Sequence, residues 1–371
     1  MRWKRGGALA WLLAGGALCA GAWTSPACAQ AAATLEERFA AGCADTPLPM
    51  RPGCIDAARR ADTAERAYAL WLADRLAEDG GARNLAFALF VRRGALLTPE
   101  TLAQAAAGAA APDAALDRWY RRARDAAGDD GVVWSLLASA QGQPLMPAPA
   151  GDDATAAWAR AQPDNLAPLL LARRADAPLD APLEAVFAAL ETRPRNAVYW
   201  DPVQALAMDA VRRHPPKAAW RDAVPALRDG ALDAYALELG AAVELPPYRS
   251  LIEACSPPAR DAVPERRAQC RRLGTRLQDA SDVMVARMIG NLLLRLSADD
   301  DASRAAAHAA WRPLFWRQRL IGEHGDARYQ AAYRDALRAD PAQDEVTLID
   351  RALRAVGVDP APPADWETTA P

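Results

Sequence analysis

Residues 157–165 read Ala-Trp-Ala-Arg-Ala-Gln-Pro-Asp-Asn, and a shortened form of the phrase returns as Leu-Glu-Thr-Arg-Pro-Arg-Asn at 190–196 and as Leu-Arg-Ala-Asp-Pro-Ala-Gln at 337–343. Each copy follows one logic. Helix-forming residues run up to a proline that cannot continue the helix, one residue passes, and an amide side chain opens the next element. The first two copies lie 31 residues apart, close to the period of a two-helix repeat.

The rest of the chain agrees with a helical reading. About a quarter of its 371 residues are alanine, the best helix former. No run of alternating Val, Ile, Thr and Tyr reaches strand length. Ile55 to Glu78 carries Ile55, Ala58, Ala61, Tyr68, Trp71, Leu72 and Leu76 on roughly one face, and Gly80-Gly81 closes it. Helices then recur about every fifteen residues: Asn84 to Leu97, one opened by Thr98-Pro99-Glu100, one opened by Pro112-Asp113, and Trp134 to Ala140. Gln143 to Asp153 has three prolines and no periodicity, which marks a linker. The expected organisation is an N-terminal helical region over 30–142, a linker over 143–153 and a second helical region over 154–358. A proline-rich tail without structure follows over 359–371.

The first 29 residues form a separate segment. Arg2, Lys4 and Arg5 precede an apolar run from Gly6 to Trp23, and Ala27-Cys28-Ala29 precedes Gln30. That order is the order of a secretory signal peptide, with Gln30 as the mature N-terminus and the periplasm or the exterior as destination. An uncleaved anchor is the rival reading, since the run is about long enough to span a bilayer. Neither Cys19 nor Cys28 has the preceding residues a lipoprotein signal needs. Loss of three leader cations takes the net charge from −3 to −6, and no basic patch points to nucleic acid.

An exported chain keeps disulfides. Cys43, Cys54, Cys255 and Cys270 lie beyond the leader. Nearest-neighbour pairing would close two local loops, one rich in Pro47, Pro49, Pro52 and Gly53, the other holding Ser256-Pro257-Pro258. Four cysteines allow three connectivities, and their order along the chain suggests the two local pairs, Cys43 with Cys54 and Cys255 with Cys270. No C-x-x-C or histidine cluster suggests a metal or redox pair instead.

The recurrent phrases resemble the ends of tetratricopeptide repeats, which place a small residue five before a closing proline. Ala189 precedes Pro194 in this way, and Ala336 precedes Pro341. The resemblance covers Ala154 to Trp200 and Ala327 to Gly357 and implies helical hairpins stacked into a superhelical array. Trp158, Pro182 and Tyr329 depart from it, standing where the family has small residues, and the repeat is three residues short. A second stretch, with Leu245-Pro246-Pro247-Tyr248, Leu251, Cys255, Cys270, Ser281-Asp282, Ile289-Gly290 and Leu293, resembles a core found in exported helical proteins of high-GC bacteria. That likeness implies export and the local disulfide, and no activity.

Catalytic signals are missing where mechanisms require them. There is no phosphate-binding glycine loop, no H-E-x-x-H and no G-x-S-x-G. His214, His308 and His324 are scattered, and only Glu323-His324-Gly325-Asp326 brings an acid to an imidazole, in what reads as a turn. The acidic pairs sit at helix starts, where they complement the helix dipole. No cofactor or metal is expected. The densest unusual stretch is Trp311-Arg312-Pro313-Leu314-Phe315-Trp316-Arg317-Gln318-Arg319. Arginine and tryptophan dominate interface energetics, so Trp311, Arg312, Trp316 and Arg319, with Tyr329 and Tyr333 one helix later, are the candidate partner-binding residues. An ordinary amphipathic helix with a buried aromatic stripe is the plainer alternative. The sequence therefore favours an exported all-α scaffold that binds a protein or peptide and is not an enzyme. The rivals are a structural envelope protein and a cell-wall enzyme built on an α-superhelix, resembling lytic transglycosylases. The last lacks the Glu-Ser pair typical of those enzymes, which occurs nowhere here.

Overall fold

Side-chain caps decide where many of these helices begin. Thr98, Asp113, Asp130, Asp153, Asp300, Asp326 and Asp344 each accept a hydrogen bond from a backbone N–H of the first helical turn, satisfying donors that a helix leaves unpaired. The computed structural model describes residues 43–44, 46, 50–108, 111, 113–141, 145–146, 153–172, 180–241 and 245–366. The leader read in residues 1–29 lies outside them, as do residues 367–371 of the tail.

Among the described residues there are seventeen α-helices and no strand. They are α1 (Arg51–Asp79), α2 (Ala82–Leu96), α3 (Pro99–Ala106), α4 (Ala114–Asp125), α5 (Gly131–Ala140), α6 (Ala154–Ala161), α7 (Ala167–Leu171), α8 (Asp180–Ala189) and α9 (Trp200–Arg213). Then follow α10 (Ala218–Ala223), α11 (Leu232–Ala241), α12 (Arg249–Cys255), α13 (Arg266–Ala280), α14 (Met284–Leu296), α15 (Asp301–His324), α16 (Ala327–Ala339) and α17 (Glu345–Ala355). The all-α expectation holds. Gly80 ends α1 at a positive φ of 73°, donating to Leu76 O, as the Gly80-Gly81 signal implied.

Neighbours in sequence pack as neighbours in space: α1 on α2, α13 on α14, and α16 on α17. Longer contacts tie the ends together. Helix α9 packs on α11 and touches α1, α2 and α16, and α10 lies against α1. One hydrophobic cluster runs from Tyr68 in α1 to Leu353 in α17. It crosses the 143–153 segment without a break, since α5 packs on α6 and Leu145 O accepts from Asp113 N–H. Helices α13 and α14 meet backbone to backbone, because a Cβ on Gly290 would stand 2.5 Å from Gln278 N and 2.6 Å from Gly274 O.

The recurrent phrases meet in space through their loops. Asn165 bridges Arg195 and Asn196 bridges Ser281 in parallel pairing. Leu166 N–H donates to Arg195 O at 2.8 Å, Arg195 N–H to Asp164 O at 3.0 Å, Asn196 N–H to Ala280 O at 3.1 Å, and Asp282 N–H to Asn196 O at 3.2 Å. Glu345 N–H then donates to Asp282 O at 2.8 Å. Four loops thus lie edge to edge, and each turn's spare backbone groups are satisfied by the next.

Both cysteine pairs close locally. Cys43 bonds Cys54 and Cys255 bonds Cys270, with Cα separations of 6.1 and 5.7 Å. Cys255 and Cys270 are fully buried and tie α12 to α13. No described helix is long and apolar enough to cross a membrane.

Candidate functional site

The helix that carries the arginine–aromatic stretch, α15, runs without a break through Pro313. Its face is not open. Of residues 359–366, read from sequence as part of a structureless tail, Pro363 to Trp366 lie against it. A turn at Pro363-Ala364-Asp365-Trp366, closed by Trp366 N–H donating to Pro363 O at 3.1 Å, is held against the helix. Arg312 Nη2 lies 3.0, 3.3 and 2.7 Å from the carbonyl oxygens of Pro363, Ala364 and Trp366. The Trp366 ring meets Trp316 edge-on at 4.9 Å between centroids and stacks near Phe315 at 6.4 Å. Composition alone missed this contact because a single tryptophan and one arginine, not a core, order the segment.

The six candidate residues divide. Arg312 and Trp316 contact the turn. Arg319 places its guanidinium 5.3 Å from the Trp316 ring centroid and pairs with Glu323 at 2.7 Å. Trp311, 8% exposed, stacks on Phe315 in the helix's inner stripe. Tyr329 and Tyr333 are 4% and 9% exposed and belong to the core. The expectation that these three face a partner is corrected: helix α16 turns its tyrosine edge inward toward α9, and the Tyr333 hydroxyl donates to Asp201 Oδ1 at 2.7 Å. Arg317 is also structural, forming a two-pronged ion pair with Asp350 of α17 at 2.6 and 2.8 Å.

A second constellation was not visible in sequence. Asp201 at the start of α9, Asp282 just before α14, and Glu345 at the start of α17 converge where the loops stack. Asp201 is 1% exposed, and burial raises its pKa well above the usual carboxylate range, with the neighbouring Glu345 charge adding to the rise. Burial likewise raises Asp282, whose carboxylate accepts from the backbone N–H groups of Val198 and Tyr199 at 3.0 and 2.8 Å. Glu345 accepts from Met284 N–H at 2.6 Å and is pushed up by burial to about 7. Arg287 partly offsets this charge, reaching Asp344 at 2.9 Å. Tyr248, close by and buried, is driven above the usual phenol range by burial. Each acid looked like an ordinary helix-start residue. Only the stacking of loops 61 to 84 residues apart brings them together.

This cluster is part of the packing, because its oxygens are taken up by backbone N–H groups and a tyrosine. No group of three or more His, Cys, Asp or Glu residues with metal-binding geometry occurs among the described residues. His214 Nε2 lies 2.7 Å from Asp79 Oδ2, a hydrogen bond that ties the end of α9 to α1 and holds Asp79 below its usual value. Glu323 pairs with Arg319, and Asp326 caps α16 by accepting from Arg328 and Tyr329 N–H. The Glu323–Asp326 stretch is thus committed to a turn. A shallow groove of about 560 Å³ lies between α16 and α17, floored by Ala332, Ala336, Ala339 and Ala355 and edged by Arg328 and Arg351. No protein-family model, curated protein or solved structure matches the chain.

Proposed function

We propose that the protein is an exported helical scaffold that binds a protein or peptide partner, with its hairpins arranged as a tetratricopeptide-like superhelix. The observation that carries this reading is the α15 face, where Arg312 and Trp316 hold a peptide turn by its carbonyl oxygens and its one aromatic ring. That is how a binding surface works: a desolvated aromatic anchor beside a charged donor. The stacked loops support a repeat-like arrangement, since each rung joins one hairpin to another. The two disulfides are compatible with an oxidising compartment, which agrees with the leader read in residues 1–29. Asp201, Asp282 and Glu345 are engaged by Tyr333 and by backbone N–H groups.

The test is recovery of a partner from periplasmic extract on the immobilised mature chain. Size-exclusion with multi-angle scattering then gives the stoichiometry. A saturable one-to-one or other fixed-ratio complex is expected. A chain that stays alone across concentrations, or that cleaves purified cell-wall glycan, would replace this reading with the structural or enzymatic alternative.

A further inference from the structure

Resting on the partner-binding reading, the geometry points to the kind of ligand: the α15 face is a groove for a proline-led turn ending in tryptophan. The chain's own Pro363-Ala364-Asp365-Trp366 closes this groove in cis, and a partner segment of the same chemistry displaces it.

Three features carry the inference. The first is how Arg312 reads the turn. One nitrogen sits within 3.3 Å of three main-chain carbonyls, so recognition depends on the turn's backbone and not on the side chains of Ala364 or Asp365. Any segment that folds its backbone this way presents the same oxygens. Pro363 opens the turn and contributes its carbonyl oxygen, which accepts both from Trp366 N–H and from Arg312. The second is the anchor. Trp366 is the one side chain of the turn that enters the aromatic group of Phe315 and Trp316, while Pro363, Ala364 and Asp365 are exposed.

The third is what the cis turn leaves undone. Trp316 Nε1 and Arg312 Nε, on the two residues that contact the turn, are buried donors without a hydrogen-bond partner. Buried donors of this kind are unfavourable unless paired, so the strap is an incomplete ligand. A partner segment that adds an acceptor beside the tryptophan would satisfy donors that the strap does not. The strap has the advantage of tethering, since an attached segment competes at a high effective concentration. Together these make a groove that is closed when alone and opened by a better-matched turn.

The experiment uses the full mature chain and a labelled 13-residue peptide spanning Asp359 to Pro371, read by fluorescence anisotropy. Trp366→Ala removes the anchor from the cis strap. The peptide is expected to bind this variant saturably and the wild-type chain at least about ten-fold more weakly, because the tethered turn competes. Adding Arg312→Ala to Trp366→Ala should weaken capture by about ten-fold or more, and a peptide with Ala in place of its tryptophan should not bind. Circular dichroism melting checks the fold, and Arg312→Gln reads the same contact if the alanine variant melts early. Equal capture by wild type and Trp366→Ala, no capture by either, or capture that survives loss of the peptide's tryptophan would overturn the groove. So would a wild-type dimer that Trp366→Ala dissolves, since the strap would then cross to a second copy. A stoichiometric partner recovered equally by wild type and Arg312→Ala would leave the scaffold reading standing and remove this groove as its seat.

Discussion

Asp282 Oδ2 lies 2.8 Å from the backbone nitrogen of Tyr199, a residue held in the left-handed region at φ 63°. The pairing explains how a bulky residue keeps a backbone conformation that usually favours glycine. The carboxylate binds two successive N–H groups, of Val198 and Tyr199, at the point where the chain turns into α9. The Tyr199 ring is fixed at its other end, where its hydroxyl donates to Gln162 Oε1 at 2.9 Å. It also fills the space beside Gly131, where an added Cβ would stand 2.2 Å from the ring.

Asp282→Ala should therefore destabilise the chain by about 2–4 kcal/mol, because two partly buried N–H groups lose their acceptor in a strained turn. Asp282→Asn, which keeps one acceptor oxygen, should lose less. Urea unfolding followed by circular dichroism decides it. A midpoint unchanged in Asp282→Ala would show that the turn is held by the neighbouring loop bonds alone.

The buried acids set a pH dependence whose sign follows from their direction. Glu345 rises from 4.5 to about 7, and Asp201 and Asp282 are raised as well. In the folded chain these groups hold protons that the unfolded chain has already released. Their contribution to stability is therefore complete below about pH 4.5 and is lost as pH climbs toward 7. Asp79, Asp113 and Asp326 act oppositely, since their lowered values favour the fold only above the usual carboxylate range. The melting temperature should peak in mild acid and fall toward neutrality. Glu345→Gln and Asp201→Asn should flatten the fall, matching wild type near pH 4.5 and exceeding it at pH 7.5. A wild-type melting temperature that climbs steadily from pH 5 to 7.5 would contradict this assignment.

Much of this architecture was legible because helix starts and stops are local. Thr98, Asp113 and Gly80 announced themselves by residue type, and the structure uses each as the sequence implied. The disulfides followed from order along the chain. Pro-Asp-Asn and Pro-Arg-Asn each follow the end of a helix, as their prolines imply. That the turns bond to one another, and that Ser281-Asp282 supplies a rung without the proline phrase, depends on pairing across 84 residues. No period in the sequence carries that information. The aromatic stripe failed differently: Tyr329 and Trp311 have the composition of an interface and the placement of a core, and composition does not separate the two.

The crossing of α13 and α14 gives a prediction about close approach. Gly290→Ala would push a methyl group to within 3 Å of Gln278 N, Gly274 O and Leu277 Cβ. Two of these atoms are backbone and cannot rotate away. The helices must separate, and overpacking of this kind costs about 1–3 kcal/mol. Thermal melting of Gly290→Ala against wild type tests it. A rise in melting temperature would mean that the crossing relaxes freely and that the alanine's helix preference wins.

The last prediction returns to residues 157–165, where Trp158 departs from the small residue that tetratricopeptide repeats place before a closing proline. The exchange has a partner four residues on. Trp158 Nε1 donates to Gln162 Oε1 at 2.9 Å, and the same oxygen receives Asn165 Nδ2 at 3.1 Å and the Tyr199 hydroxyl at 2.9 Å. Gln162 Nε2 donates in turn to Asp129 O at 3.0 Å. One amide thereby joins α6, the Asp129 turn, the Asn165 loop and the entrance to α9. Asn165 is fully buried and passes the connection on, donating to Ala197 O at 2.9 Å and accepting from Ala197 N–H at 2.9 Å. Gln162→Leu has nearly the same volume but offers no acceptor to three donors, so it should destabilise by about 3 kcal/mol or more. Asn165→Ala should cost a similar amount, and the double variant should cost less than the sum of the two, because both act on one network. Equilibrium unfolding of the four chains in the cycle measures the coupling. Strictly additive losses would mean that the phrase is held by two independent contacts and not by a shared one.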